Sequence, residues 1–242
     1  MKITSASVLD INNLSNTIKS SLGAEDSVEL AANNFVTEFY NKFGDSIVLL
    51  RLFVAIQYKE LPGYIQSFAD NLAGSANLKL DPDNYVLTLL GTIGKEDNWR
   101  ERKKSQGHQG IPLPTSDFVQ AVPMLSALME QLGFDLGWIR GEPEIVAQHV
   151  GKLMGSFYVE NASTSKDSKG RNIIAAQDYV KKYGVKSVFG FGGGYATGGK
   201  MLAVICFLNE NIEKKKAVNF QSLGPVFIVK TQQLIANKKY FK

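Results

Sequence analysis

The chain has 242 residues, 44% hydrophobic and 21% charged, enough apolar material for a real core and too ordinary a balance for a disordered or disulfide-stapled polypeptide. Its 27 Lys and Arg against 23 Asp and Glu give a net charge of +4 spread along the chain, so neither nucleic acid nor a membrane is expected as a partner. One cysteine, Cys206, and two histidines exclude a disulfide framework, a cysteine-based zinc cluster and a multi-histidine metal centre.

The first residues, Met1 to Ser7, hold no apolar signal segment before the sequence turns polar. The most apolar run, Ile47 to Ile56, is about half a membrane span and is interrupted by Arg51. A cytoplasmic protein is therefore expected. Ser27 reads as a helix N-cap, and Val28, Ala31, Ala32, Phe35, Phe39 and Phe43 follow at helical spacing to Gly44, predicting a helix over 27–43. The run 47–57 is rich in β-branched and aromatic residues and predicts a strand buried on both faces. Leu61-Pro62 opens a short helix to about Asn71, and Tyr85 to Ile93 predicts a second strand ended by Gly94. Residues 95–114 form a polar loop whose last part is a short strand.

Thr115 or Ser116 caps a helix carrying Phe118, Val119, Val122, Met124, Leu125, Leu128 and Met129, closed by Gly133. A helix is expected over 142–155 and a short strand over 157–159. Residues 162–170 have the composition of a flexible surface loop. A helix over 174–183 ends at Gly184, and strands over 185–191 and 201–208 are joined by a glycine hairpin, 192–199. After a polar link, 209–216, an amphipathic helix runs from about Ser222 to Asn237 with Leu223, Val226, Phe227, Val229, Leu234 and Ile235 as its apolar residues. No repeat or interdomain linker is visible, so one α+β domain is expected over 1–242, with 1–25 as an N-terminal extension and 218–242 as the C-terminal helix.

The run Tyr183-Gly184-Val185-Lys186-Ser187-Val188-Phe189-Gly190-Phe191, the glycine hairpin, Met201-Leu202-Ala203-Val204-Ile205-Cys206-Phe207 and a long last helix resemble the end of a GAF domain. Further segments resemble an uncharacterised bacterial family whose members occur alone or ahead of PAS and histidine-kinase modules: Leu49 to Phe53, Leu87 to Thr92, Trp99 to Arg102, Ser105 to Leu113 and Ser187 to Gly194. The family's loop tends to carry Asp before the second arginine; this chain has Glu101 before Arg102. The resemblance implies a GAF/PAS-like α+β domain, with a central antiparallel sheet, flanking helices and an extended C-terminal helix, acting as a sensory input module in signal transduction.

The residues offer several sites for chemistry. Gly190-Phe191-Gly192-Gly193-Gly194-Tyr195 lacks the spacing of a dinucleotide fingerprint or a phosphate-binding loop and reads as a hairpin. The loop 99–108 gathers an indole, two guanidiniums, a hydroxyl and an imidazole: Trp99 to stack on a ring, Arg102 to fork onto a carboxylate or phosphate, Ser105 and His108 to hydrogen-bond. Their alternative reading is a lid over the core and solvated surface charge. Arg51, a charge amid Leu49, Leu50, Leu52 and Phe53, must either be paired by a carboxylate or line a cavity, on the face it shares with Leu49 and Phe53. Phe189 and Phe191 share one face of their strand, as core or as pocket wall. Cys206 reads as a buried, inert thiol. A haem held by His108 or His149 is a further alternative. No nucleophile elbow, metal triad or paired carboxylates suggest catalysis, and no enzymatic activity is expected.

Three readings follow. The first is a sensory module holding a small molecule among Arg51, Trp99, Arg102, Ser105, His108, Phe189 and Phe191, and signalling to a histidine kinase or other partner protein. On this reading Arg102→Ala weakens binding without unfolding the chain, and the C-terminal helix, through Phe227 and Leu234, forms a homodimer or partner surface. The second is a ligand-free interaction or dimerisation module; the third is a haem or gas sensor. A closed pocket around Arg51 separates the first two.

Overall fold

The computed structural model describes residues 1–134, 154–196 and 199–242. In chain order these form α1 (Val8–Ser21), α2 (Val28–Phe43), β1 (Ile47–Gln57), α3 (Gly63–Gly74), β2 (Tyr85–Gly94), β3 (Gly110–Leu113), α4 (Ser116–Ala121), α5 (Pro123–Leu132), β4 (Gly155–Val159), α6 (Gln177–Tyr183), β5 (Ser187–Gly194), β6 (Met201–Leu208), α7 (Lys214–Asn219) and α8 (Leu223–Ala236). The helix expected over 142–155 lies outside the described residues, except that Gly155 opens β4. Among the described residues, no helix is long and apolar enough to cross a membrane.

The strands form one six-stranded sheet in the order β3-β2-β1-β6-β5-β4, each neighbouring pair antiparallel. Strand β1 is central and covered on both faces, so its alternation assigns residues to two cores. Leu50, Leu52, Val54 and Ile56 join Phe189, Phe191, Val204 and Cys206 in a first core beneath α1, α2, α3 and α8. Leu49, Phe53 and Ala55 join Leu87, Val188, Ile205 and Phe207 in a second core beneath α4, α5 and α6. Arg51 lies between Leu49 and Phe53 in this alternation, opposite Thr92 on β2 and Ile205 on β6.

Several expectations are refined. Residues 8–21, read as polar extension, are helix α1. Its Asn and Ser residues suggest coil, yet Ile11, Leu14 and Ile18 fall on one helical face and are buried, behind a Ser7–Asp10 capping box. The helix expected from Thr115 to Gly133 is two helices. Pro123 has no N–H to continue α4 and instead starts α5, while Gly133 closes α5 at φ 78°. The 162–170 segment is a surface loop braced from within: Asn161 Oδ1 accepts from the backbone of Ser163 and Thr164, and Asp167 holds Arg171 at 2.7 Å. Phe227 is not a partner surface. It is fully buried, its ring 5.4 Å from that of Phe35, whereas Val229 points outward at 73% exposure.

Helix α2 lies directly on β2 at Gly91, where a Cβ would stand 2.6 Å from the Ala32 carbonyl oxygen. Gly91→Ala therefore forces helix and sheet apart. We expect a loss of about 1–3 kcal/mol, read as a Tm lowered by roughly 2–4 °C per kcal/mol in thermal unfolding.

Candidate functional site

Between the second face of the sheet and helices α4 to α6 lies a cavity of about 720 Å³. Its wall is mainly apolar: Leu49, Phe53 and Leu87 from the sheet, Leu125 and Leu128 from α5, Ile173 and Ile174 ahead of α6, and Ile205 and Phe207 from β6. Polar groups at its border are Glu96, Asn98, Lys104, Gln106 and Lys182. Arg51 enters it from the middle of the sheet, and Trp99, His108 and Tyr179 complete the lining.

The loop between β2 and β3 positions the polar side of this cavity. It begins with a short 3-10 turn, Asp97–Trp99, and the Thr92 hydroxyl donates to the Trp99 carbonyl at 3.0 Å. This sets the indole edge-on against Tyr183, ring centres 4.6 Å apart, and near Tyr179 at 5.7 Å. A second turn, Arg102–Lys104, leads to Ser105, whose hydroxyl donates to the Gly107 carbonyl at 2.6 Å. His108 follows in the left-handed region at φ 64°, an unusual backbone for a non-glycine residue that turns its ring toward Arg51.

Arg51 donates from Nη2 to the Ser105 hydroxyl at 3.1 Å and from Nη1 toward the Gly107 carbonyl at 3.4 Å. It also meets His108 Nδ1 at 3.2 Å. A guanidinium only donates, so Nδ1 accepts and the ring proton belongs on Nε2. Partial desolvation, and next the Arg51 charge, push the imidazole down from 6.5 to about 4, although more than a third of the residue stays exposed; the ring is neutral at pH 7. Its accessible surface borders the cavity. Arg51 makes no ion pair among the described residues, and burial lowers its pKa from 12.5 to about 10. Two polar atoms here are buried without a partner among the described residues, Arg51 Nε and Tyr179 Oη. Burial also pushes the Tyr179 phenol up.

Of the residues expected at the site, Arg51, Trp99 and His108 line the cavity, and Ser105 stands behind Arg51 as its hydrogen-bond acceptor. The other three lie elsewhere. Phe189 and Phe191 are opposite Cys206 and Val204 on the first face, packed against Phe220 and Phe35. Strand parity gives them the other side of the sheet from Arg51. Arg102 also leaves the cavity. It is 6% exposed, and its Nε and Nη2 fork onto the Glu29 carboxylate at 2.6 and 2.8 Å, with Nη1 on the Tyr64 hydroxyl at 2.7 Å and the Phe241 ring 5.3 Å away. The loop thus sends Arg102 to α2 on the first face and Trp99 and His108 to the second. Tyr179 was not singled out in the sequence; its place on a short helix after an irregular segment gave no signal. Cys206 is buried in the first core, its thiol pushed up by burial and remote from the cavity. For a haem, His149 lies outside the described residues, and the adjacent guanidinium makes His108 a poor iron ligand.

No protein-family model matches the chain, and no curated protein matches it. Among solved structures, a free methionine-R-sulfoxide reductase from Neisseria meningitidis, in complex with its substrate, aligns over 96% of both chains with a TM-score of 0.50 and 11% identity. The GAF domain of a phosphoenolpyruvate-protein phosphotransferase from Coxiella burnetii aligns over 96% of this chain and 98% of its own, with a TM-score of 0.48 and 10% identity. A phycoerythrobilin-bound GAF domain from a cyanobacterial phytochrome covers the same shares with a TM-score of 0.46 and 12% identity. At these identities the likeness concerns the fold. The chain has the α+β class expected from its sequence, with helices on both faces of an antiparallel sheet and a helix at its C-terminal end, and its fold is similar to that of the reductase.

Two predictions follow from these two arginines. Burial alone would raise the Glu29 carboxyl, but the bonds from Arg102 and the Lys242 backbone outweigh it and hold the group below its usual 4.5. A lowered carboxylate stabilises the fold above the unfolded value and loses that effect as pH falls through the folded one. Glu29→Gln, which leaves Arg102 buried without its countercharge, should cost about 3 kcal/mol at pH 7, a Tm lower by roughly 6–12 °C, with the gap to wild type closing as pH drops below that range. His108 is a base whose folded pKa is depressed, so its contribution is present above 6.5 and lost as pH falls toward about 4. His108→Gln should flatten the decline of Tm with pH across that window; an unchanged slope would remove His108 from it.

Proposed function

We propose that the chain is a sensory module that binds a small organic molecule in the cavity around Arg51 and passes the event to a partner protein. The observation that carries this reading is the cavity itself, a mainly apolar space of about 720 Å³, open to solvent on one side, with the Arg51 guanidinium in its wall. That volume is in the range of small-molecule sites, and a few fixed polar groups in an apolar wall are what such sites use for orientation. The ligand-free interaction reading has no corresponding use for a chamber at this place.

The same loop that carries Trp99 and His108 also carries Arg102, and so it is held from both sides of the sheet. Glu29, the partner of Arg102, accepts from the backbone N–H of Lys242, and the N–H groups of Val28 and Glu29 donate to the carbonyls of Lys239 and Tyr240. A ligand that favours one position of the 97–109 loop therefore biases the start of α2 and the residues following α8. The partner implied by the sequence resemblance is a histidine kinase or another signalling protein. Binding without bond-making is the proposed role; the one cysteine of the chain lies in the opposite core.

The reading is tested by filling the chamber. Ile205→Trp places an indole in it from the centre of β6. Compounds that raise the Tm of the wild-type chain in a metabolite screen should lose that effect in the variant, while its unliganded Tm stays within a few degrees of wild type. Protection that persists unchanged in a folded Ile205→Trp variant would place the ligand outside the cavity.

A further inference from the structure

Two arginines of the described residues, the buried Arg102 and the mostly buried Arg51, offer a comparison within one molecule. Arg102 presents its Nε–Nη2 edge to a carboxylate, which bridges both atoms at 2.6 and 2.8 Å. Arg51 is held by Gly107 and His108 on Nη1 and by Ser105 on Nη2. Its Nε–H is buried and has no partner among the described residues. Arg51 thus reaches the wall of an apolar cavity with its donors only partly used and, unlike Arg102, with no carboxylate on it among the described residues.

The neighbouring groups have the same polarity. Tyr179 Oη, also buried and unpartnered, interacts electrostatically with Arg51, and His108, with Nδ1 accepting, carries its proton on Nε2. Glu96, the carboxylate bordering the cavity, forms no ion pair with Arg51. A buried cation among donors, without a countercharge among the described residues, is matched by an anion that accepts. One guanidinium suits one negative charge, and the wall around it is hydrocarbon. We propose that the ligand is a small organic monocarboxylate with an apolar body, its carboxylate on the part of the Arg51 guanidinium that faces the cavity, its body against Phe53, Leu128 and Ile205. This deepens the small-molecule reading above and rests on it.

The test titrates the full chain by calorimetry with two acids, octanoate and 1-naphthylacetate, each beside its neutral amide. At least one acid should bind about tenfold or more tightly than its amide. Arg51→Gln should remove that advantage, cutting the acid's affinity by roughly 10–100-fold and leaving the amide's unchanged, whereas Arg51→Lys, which keeps the charge, should retain part of it. Acid and amide binding equally to the wild type would overturn the monocarboxylate and leave the cavity reading standing. An acid preference that survives Arg51→Gln would assign the charge recognition to Lys104 and Lys182 at the border and overturn the proposal. Absence of binding by all four compounds would overturn both. Should Arg51→Gln fail to fold, the acid-to-amide ratio in the wild type and in Arg51→Lys decides the matter.

Discussion

Strand β1 is hydrogen-bonded on both sides and covered on both faces, so a charge in its middle is largely cut off from water and meets solvent only through the cavity. Arg51 has to find acceptors where its backbone places it. Three of them come from residues 105–108 of one loop, and this requirement shapes the loop: Ser105 turns its hydroxyl toward Gly107, and His108 takes a positive φ to bring Nδ1 to the guanidinium. A strained backbone beside an incompletely satisfied cation is typical of a site maintained for binding rather than for stability. Among the described residues, the acceptors supplied to Arg51 are neutral, so its hydrogen bonds are partly met while its charge is not.

Arg102 shows how the same chain treats an arginine whose task is to hold the fold. There the guanidinium meets a carboxylate edge-on, a phenol and an aromatic face, with every element contributed by a different part of the sequence: Glu29 from α2, Tyr64 from α3 and Phe241 near the C-terminus. Breaking such a buried pair is expensive because it leaves the other charge alone. The two arginines sit on one short stretch of structure, one bound to the loop and one part of it. The loop is thereby a physical link between the cavity and the chain's C-terminal residues, made of hydrogen bonds and an ion pair rather than of a long packed path.

Much of the fold was legible in the sequence. Periodicity located α2, both central strands and the last helix, and glycines at 133 and 184 marked helix ends by their left-handed backbone. Parity alone put Arg51 with Leu49 and Phe53, which is where the cavity is. What parity within one strand does not give is the relation between strands. Phe189 and Phe191 were correctly grouped with each other, but whether their face was that of Arg51 depended on the β5–β6 and β6–β1 registers, which are long-range. The loop residues were harder for the same reason: Trp99 and Arg102 are adjacent turns apart, and only the position of Glu29, far away in sequence, decides that Arg102 goes to the other side. Helix α1 was missed because asparagine and serine dominate its exposed face and obscured three well-spaced apolar residues.

The most direct measurement is a crystal structure of the chain with whichever carboxylic acid binds it most tightly. The account predicts a carboxylate oxygen at about 2.7–2.9 Å from a guanidinium nitrogen of Arg51, the charge-assisted distance, with the hydrocarbon inside the cavity. A carboxylate found at the border beside Lys104 and Lys182, away from Arg51, would contradict it.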